Sequence, residues 1–353
     1  MKTNIAILGC GRISKNHIIA IANNFEDSKL VALCDLDISK VESRKTEYKS
    51  LLEKQTDTIC INTYISYKKM VEENDIDIIA ISTESGYHYE QSIFMLNNNI
   101  NVLVEKPMAL KEEHALEMIE LASTKNLNLG VCFQNRFNPP IQLLRKQIDN
   151  GKFGRIYAIT ANIYWNRGKG YYEQAPWRGT HALDGGALMN QCIHNIDLLQ
   201  WMSDSIPNEL NAMLSNFNHN YLEVEDYGSI QIRFENGIIG NIEGSVALYP
   251  KNYKETLVVI GEKGTVEIGG LAVNKILHWV FEDNSISVED AINLTKSEIN
   301  NVYGNGHTPL YKDFIEAVRE KKEPYISGLE GFKALKIILD SYKKSGVNYD
   351  KYR

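Results

Sequence analysis

Five short apolar runs in the first third of the chain, Asn4–Leu8, Leu30–Cys34, Ile76–Ile81, Asn101–Val104 and Leu127–Cys132, are rich in branched side chains and show no in-and-out alternation. A strand that is apolar on both faces must be covered on both faces, which is the condition of a parallel sheet layered between helices. The stretches between the runs, Ser14–Asn24, Ile38–Lys54, Ser66–Glu73, Tyr87–Asn97 and Lys111–Asn126, supply those helices. Residues 1–130 are therefore expected to form a doubly wound α/β domain.

The texture changes after Pro139-Pro140. Ile230-Gln231-Ile232-Arg233-Phe234 alternates strictly, the mark of a sheet with one wet face. Glu235-Asn236-Gly237 separates that run from Ile238–Ile242, an Asn-Gly hairpin signal, and Glu255–Ile260 pairs by the same logic with Thr265–Ile268 around Gly261–Gly264. Residues 131–353 are expected to form a second α/β domain on an open, mainly antiparallel sheet, with helices at Gly186–Met202 and Gly328–Ser345. A substrate site between two such domains is the default expectation.

Composition narrows the function classes. A net charge of −7 argues against a partner with a phosphate backbone, so no nucleic acid is expected. The longest early apolar run, Ile5–Leu8, is too short for a leader or a membrane span, which points to a cytoplasmic protein without a membrane partner. Cys10, Cys34, Cys60, Cys132 and Cys192 are scattered, with no Cys-x-x-Cys pair, so neither a disulfide framework nor a zinc site is expected and each should behave as a small buried hydrophobe.

The strand Ile5–Leu8 runs into Gly9-Cys10-Gly11-Arg12-Ile13-Ser14 and then into a helical pattern. In that context Gly9 allows the tight turn and Gly11 lets the backbone approach a pyrophosphate at the helix N-terminus. Asp35 ends the next strand, 24 residues beyond Gly11, where a carboxylate can accept both ribose hydroxyl protons. The pattern is that of a Rossmann domain for a dinucleotide, and the acid favours NAD over a 2′-phosphorylated coenzyme.

Further motifs carry a resemblance. Glu105-Lys106-Pro107 follows Asn101–Val104, and Asp184-Gly185-Gly186 leads through Met189-Asn190-Gln191 to His194-Asn195-Ile196-Asp197. Gln134-Asn135-Arg136, Trp177-Arg178-Gly179, Tyr249-Pro250-Lys251-Asn252, Gly261-Glu262-Lys263-Gly264 and Tyr303-Gly304-x-Gly306-His307 accompany them. Together these resemble the glucose-fructose oxidoreductase / inositol dehydrogenase / MocA family over essentially the whole chain, and within it the subgroup acting on UDP-linked uronic acids for surface polysaccharide. The resemblance implies an NAD-dependent oxidation of a sugar CH–OH group. It also implies a cofactor site built from Gly9, Gly11, Arg12, Ile13, Asp35, Thr83, Glu105, Lys106, Gln134, Trp177 and Arg178.

Oxidising a secondary alcohol needs a base for the hydroxyl proton while hydride leaves carbon. Lys106 lies at the carboxyl end of a parallel strand, where ligands bind in such sheets, and His194 lies on a helix with Asn190 and Asp197 at spacings that put all three on one stripe. Deprotonating an ordinary lysine at pH 7 costs roughly 4.6 kcal/mol, whereas histidine is already mostly neutral. His194 is thus the expected base and Lys106 the donor that stabilises alkoxide charge; the roles exchange if burial and the nicotinamide cation lower the lysine's pKa. The family often has an acid where this chain has Asn190, and an amide cannot take a proton, so Asn190 is expected to bind rather than catalyse. Metal ligation by His194 and Asp197 lacks a third ligand at sensible spacing.

The stretch from Tyr164 to Arg178 is dense in rings and guanidinium groups, which suit a nucleotide-sugar, and equally an oligomer surface. With that stretch, the subgroup resemblance implies UDP-N-acetylglucosaminuronic acid as the substrate, oxidised at its 3-hydroxyl and bound by Lys106, Arg136, Tyr164, Arg167, Asn190, His194 and His307. His17 opens the first helix. His88, His114, His181, His219 and His278 are expected to be surface or core residues. Alternatives are a free-sugar or inositol dehydrogenase of the same family and a non-catalytic dinucleotide sensor, against which the retention of Lys106 and His194 argues. A homo-oligomer assembled through the second sheet is expected.

Overall fold

The computed structural model describes residues 2–52, 60–270, 272–296 and 304–346. Tyr303 of the glycine-rich motif and Lys54, the expected end of the second helix, lie outside the described residues. Two compact units are present, Met1–Cys132 with His307–Phe332, and Phe133–Gly306 with Lys333–Arg353.

The first unit alternates strand and helix: β1 Thr3–Leu8, α1 Ser14–Asn23, β2 Ser28–Cys34, α2 Ile38–Leu51, β3 Asn62–Tyr64, α3 Tyr67–Glu73, β4 Ile78–Ile81, α4 His88–Asn97, β5 Asn101–Val104, α5 Glu112–Thr124 and β6 Leu129–Val131. The sheet is parallel, in the order β3-β2-β1-β4-β5-β6. Ile5, Ala6, Ile7, Ile78, Ile79 and Ala80 are fully buried, as continuous apolar strands require. Strand order reverses between β1 and β4, so the chain leaves these neighbours in opposite directions and opens a crevice at their carboxyl ends. The expected elements are present to within a few residues. β3 had no apolar run to announce it, since Asn-Thr-Tyr pairs only at the sheet edge with β2.

The second unit begins with α6, Pro139–Asp149. Pro139-Pro140 marks the start of this helix rather than a loop, because prolines in a first turn remove no hydrogen bond. There follow β7 Ile156–Tyr164, the short α7 Lys169–Tyr172, a π-helical turn Leu188–Cys192 running into α8 Ile193–Ser203, and β8 Pro207–Ser215, β9 Tyr227–Phe234, β10 Ile239–Ser245, β11 Lys254–Gly261, β12 Gly264–Gly269, β13 Lys275–Phe281 and α9 Val288–Leu294. Both expected hairpins form, β9 with β10 and β11 with β12. The sheet order is β13-β12-β11-β7-β10-β9-β8, antiparallel throughout except between β7 and β10. Ile159, Ala161 and Ile163 of β7 are buried under α8, and the alternate residues face the other way.

The chain then returns to the first unit. α10, His307–Glu320, packs against α1 there, and α11, Gly328–Lys344, starts in the first unit and ends in the second. The sequence reading had left all of residues 131–353 in one domain. Phe314 explains the return, since its ring lies where a Cβ on Gly130 of β6 would be, 2.6 Å away. Only a glycine strand position admits that ring.

Candidate active site

At the carboxyl edge of the first sheet, β1 ends at Gly9, whose φ is +92° and whose missing Cβ would stand 2.6 Å from the Ser82 backbone. Glycine is required there twice over, for the turn and for the approach to β4. A Cβ on Gly11 would meet nothing within 4 Å. No side chain caps α1 and its first turn holds no acid, so the positive end of the helix suits a diphosphate. Arg12 is exposed and Ile13 half-buried on the same loop. Asp35 is pinned beside them, its Oδ2 accepting the Cys10 N–H at 2.7 Å and its Oδ1 the Asp37 N–H at 2.9 Å. Burial and this carboxylate push the Cys10 thiol up to about 12. A half-exposed carboxylate held by backbone amides fits the ribose of NAD.

Thr83, just past β4, donates its hydroxyl to Gln91 Oε1 at 2.7 Å. His88 is buried, in keeping with the expectation of a surface or core residue, and it also bridges two strand ends. Its Nδ1 lies 2.8 Å from the Pro107 carbonyl and its Nε2 3.2 Å from the Thr83 carbonyl, so one buried ring ties the ends of β4 and β5 together. Burial lowers its pKa. Half-buried Lys106 donates its backbone N–H to Glu105 Oε2 at 3.2 Å, and the Lys106–Pro107 bond is cis. Glu105 itself is buried, and the charge of its carboxylate is answered by His17 and His307.

In the second unit the expected polar stripe is divided. The π-helical turn widens the helix between Asn190 and His194, breaking the α-helical spacing. Asn190 donates to the buried Asp184, and Asp184 Oδ2 accepts the Gly179 N–H at 2.7 Å. Asp197 turns inward to Arg136, accepting from Nε at 2.9 Å and from Nη2 at 2.6 Å. Arg136 therefore does not belong among the substrate's donors, because its guanidinium has no exposed surface and is committed to this ion pair. His194 keeps its ring partly exposed, edge-on to Phe133.

Two other expected substrate contacts are also corrected. Tyr164 lies on the face of the second sheet away from α8, donating to Glu243 at 2.7 Å and stacked with Tyr253; strand alternation sends it opposite to Ile163. His307 is buried in the first unit, 3.6 Å from Glu105, rather than on a loop open to phosphate. Among the cysteines, Cys60 is exposed and the other four are buried.

A cationic and aromatic cluster remains. Arg167 lies over the rings of Trp165 and Tyr171 at 4.6 and 5.4 Å, and Arg178 over those of Tyr171 and Trp177 at 4.1 and 5.4 Å. Gln191 joins it by donating to Tyr171 Oη at 3.2 Å. Gln134 is buried with an amide oxygen that has no hydrogen-bond partner. Glu225, which the sequence reading missed, sits at the start of the π turn, accepting the Leu188 N–H at 3.0 Å. Gly186 is required beneath it, since a Cβ there would fall 1.7 Å from the Glu225 carboxylate.

The first unit's topology and glycine turn are those of a dinucleotide-binding domain. The chain belongs to the GFO/IDH/MocA family: its residues 3–133 match the family's NAD-binding Rossmann domain and residues 141–267 its C-terminal domain. It is an NAD-dependent oxidoreductase. Among solved structures it is similar to the WlbA dehydrogenase of Bordetella pertussis in complex with NADH and UDP-GlcNAcA, at 32% identity and a TM-score of 0.85 over 98% of this chain and 97% of that one. The WlbA dehydrogenase of Chromobacterium violaceum, with the same two ligands, is 33% identical with a TM-score of 0.87 over 98% and 94%. The D-glucoside 3-dehydrogenase of Escherichia coli is 27% identical over 56% of this chain, a match spanning only 53% of that protein. The inositol 2-dehydrogenase of Rhizobium meliloti is 23% identical over 95% of this chain and 94% of its own length.

Proposed function

We propose that the protein oxidises the 3-hydroxyl of UDP-N-acetylglucosaminuronic acid to a 3-keto sugar, a step that would feed a transaminase, since amination requires a ketone, in the cytoplasmic synthesis of surface polysaccharide. The carrying observation is the end-to-end likeness to two WlbA dehydrogenases that hold NADH and UDP-GlcNAcA, at identities near one third. The partly exposed Arg167–Tyr171–Arg178 cluster supports it, offering guanidinium groups for diphosphate or carboxylate and rings for stacking.

NAD, when bound, supplies the hydride acceptor. His194 takes the hydroxyl proton, and Lys106 donates a hydrogen bond to the same oxygen as charge develops on it. Asn190, held by Asp184 and accepting from Gln191, orients the sugar. Ile260, Met213 and Tyr253, exposed on the outer face of the second sheet, support a homo-oligomer assembled through that face. Among the described residues no helix is long and apolar enough to cross a membrane.

A second reading, a free-sugar or inositol dehydrogenase, is favoured by the curated relatives, which act on a glucoside and on inositol. NADH absorbance separates the two. UDP-N-acetylglucosaminuronic acid is expected to turn over, and UDP-N-acetylglucosamine, which lacks only the carboxylate, to lose a charged hydrogen bond worth about 1.5–3 kcal/mol in kcat/KM. Equal kcat/KM for the two, or turnover of inositol alone, overturns the proposal.

A further inference from the structure

Four ligand-type side chains from four separate segments meet inside the first unit: His17 of α1, Glu105 just past β5, Cys132 just past β6 and His307 at the start of α10. Glu105 Oε1 lies 3.1 Å from His17 Nε2 and 3.6 Å from His307 Nε2. Sγ of Cys132 is within 4.8 Å of the ligand atoms of His17 and Glu105. All four residues are buried, at 0% exposure for His17 and Cys132, 3% for His307 and 6% for Glu105.

Hydrogen bonding explains only part of this cluster. His17 is satisfied at both nitrogens, with Tyr311 Oη 2.6 Å from Nδ1 and Glu105 at Nε2. His307 is less well met, since its Nδ1 is buried without a hydrogen-bond partner and its Nε2 makes only a long approach to Glu105 Oε1, at 3.6 Å. A buried imidazole is rarely left in that state.

We propose that His17, His307, Glu105 and Cys132 form a closed, four-ligand zinc site in the first unit. Tetrahedral zinc with N and O ligands at about 2.0–2.1 Å holds neighbouring ligand atoms about 3.3–3.4 Å apart. The two separations of 3.1 and 3.6 Å bracket that value; the thiol has to close by about 1 Å on the His17 and Glu105 atoms, and His307, which stands outside that close set of three, has to swing in further to complete the site. Two imidazoles and a thiolate select zinc over magnesium or calcium. One carboxylate and one thiolate neutralise the dication, so the filled site has no net charge, which suits burial. Without metal, burial and Glu105 keep the Cys132 thiol protonated; as the Zn–S bond forms, that proton passes to solvent. Tyr311 orients His17 from behind. Glu105 gives Oε1 to the metal and keeps Oε2 for the Lys106 N–H, so the site anchors the turn carrying Lys106.

Because the site is closed, metal is loaded as the chain folds. The test is the metal content of the full-length protein, expressed in zinc-supplemented and, separately, cobalt-supplemented medium and then dialysed against chelator. About one zinc per chain is expected, and the cobalt protein should show visible tetrahedral bands with thiolate-to-cobalt charge transfer. Cys132→Ser should abolish the charge-transfer band and His307→Gln should lower retained metal by roughly 10-fold or more, while Cys60→Ser, which alters the exposed thiol, should change nothing. If Cys132→Ser does not fold, His307→Gln decides the matter. Metal below about one-tenth equivalent, or a cobalt spectrum unchanged by His307→Gln, overturns the proposal and leaves a hydrogen-bonded His17–Glu105 pair. Neither readout depends on turnover, so it stands apart from the substrate assignment.

Discussion

The carboxyl edge of the first sheet and the α8 region of the second unit both gather polar side chains, but they hold them by different means. Asp35 and Glu105 sit directly after strands and accept backbone amides of the strand ends, those of Cys10 and Asp37 in one case and of Lys106 in the other, although Glu105 also meets the side chain of His17. Asn190 and Asp197 are fastened by side chains, Asp184 and Arg136, and Arg136 comes from 61 residues away in sequence. A group held by local backbone can be found from its position after a strand. A group held by a distant side chain cannot, and its spacing misleads: Asp197 looks like a member of a reactive stripe and is half of a buried ion pair.

The sharpest way to separate reactive from structural residues is to remove each. Lys106→Met and His194→Asn should each lower turnover by roughly 10²–10⁴-fold while NAD affinity stays nearly unchanged, and the double variant should lose less than the product of the two. Stopped-flow kinetics with NAD titration checks this; near-normal turnover by either variant removes that residue from the chemistry. Asp197→Ala should behave in the opposite way. It strands a fully buried guanidinium and should cost about 3–5 kcal/mol in urea unfolding. A joint replacement by Arg136→Met and Asp197→Leu should recover most of that loss, and failure to do so would mean that the pair contributes more than charge compensation.

Most of the first unit was legible because its signals are local: apolar runs, a glycine turn and an acid at a strand end. What stayed hidden there was the closing helix α10, which starts at His307, far beyond the end of β6 at Val131, and joins the unit by packing on α1 and by Phe314 filling the space that Gly130 leaves empty. In the second unit the hairpins were readable from Asn236-Gly237 and Gly261–Gly264, whereas the π turn at Leu188–Cys192 was not. Nearly every residue of α8 is buried, so no amphipathic stripe exists there for the extra residue to displace; the Glu225 carboxylate seated on Gly186 marks the turn instead. The cluster of His17, Glu105, Cys132 and His307 shows the same limit, because a spacing rule for metal ligands works when they share one loop, not four segments.

Coenzyme choice tests the backbone-held side of the comparison at smaller scale. Asp35 should disfavour a 2′-phosphate by on the order of 1–4 kcal/mol, read as the ratio of NADP to NAD dissociation constants. Asp35→Asn removes the charge and keeps one acceptor, enough for the Cys10 N–H but not also for the Asp37 N–H, and it should narrow the gap. An NADP constant equal to or tighter than that for NAD in the unaltered protein would mean that the carboxylate does not read the ribose.

The smallest effect belongs to Glu255, on the inner side of β11 in the second unit, where a carboxyl is held by neither backbone nor a full ion pair. It is 4% exposed, and its Oε2 has no hydrogen-bond partner. Burial raises its pKa from 4.5 to about 8, with Asn195 and Arg167 pulling weakly the other way. Below pH 4.5 the group is protonated in both folded and unfolded chains and costs nothing. Between 4.5 and about 8 the unfolded chain releases the proton while the native one keeps it, so stability falls as pH rises and the loss is complete above that window. Glu255→Gln supplies the neutral shape at every pH. It should match the unaltered protein near pH 4.5, exceed it by on the order of a few kcal/mol at pH 9, and flatten the slope between. Parallel slopes for the two proteins across that range, measured by urea unfolding, would show that Glu255 is ionised in the native state and that Arg167 compensates it as Arg136 compensates Asp197.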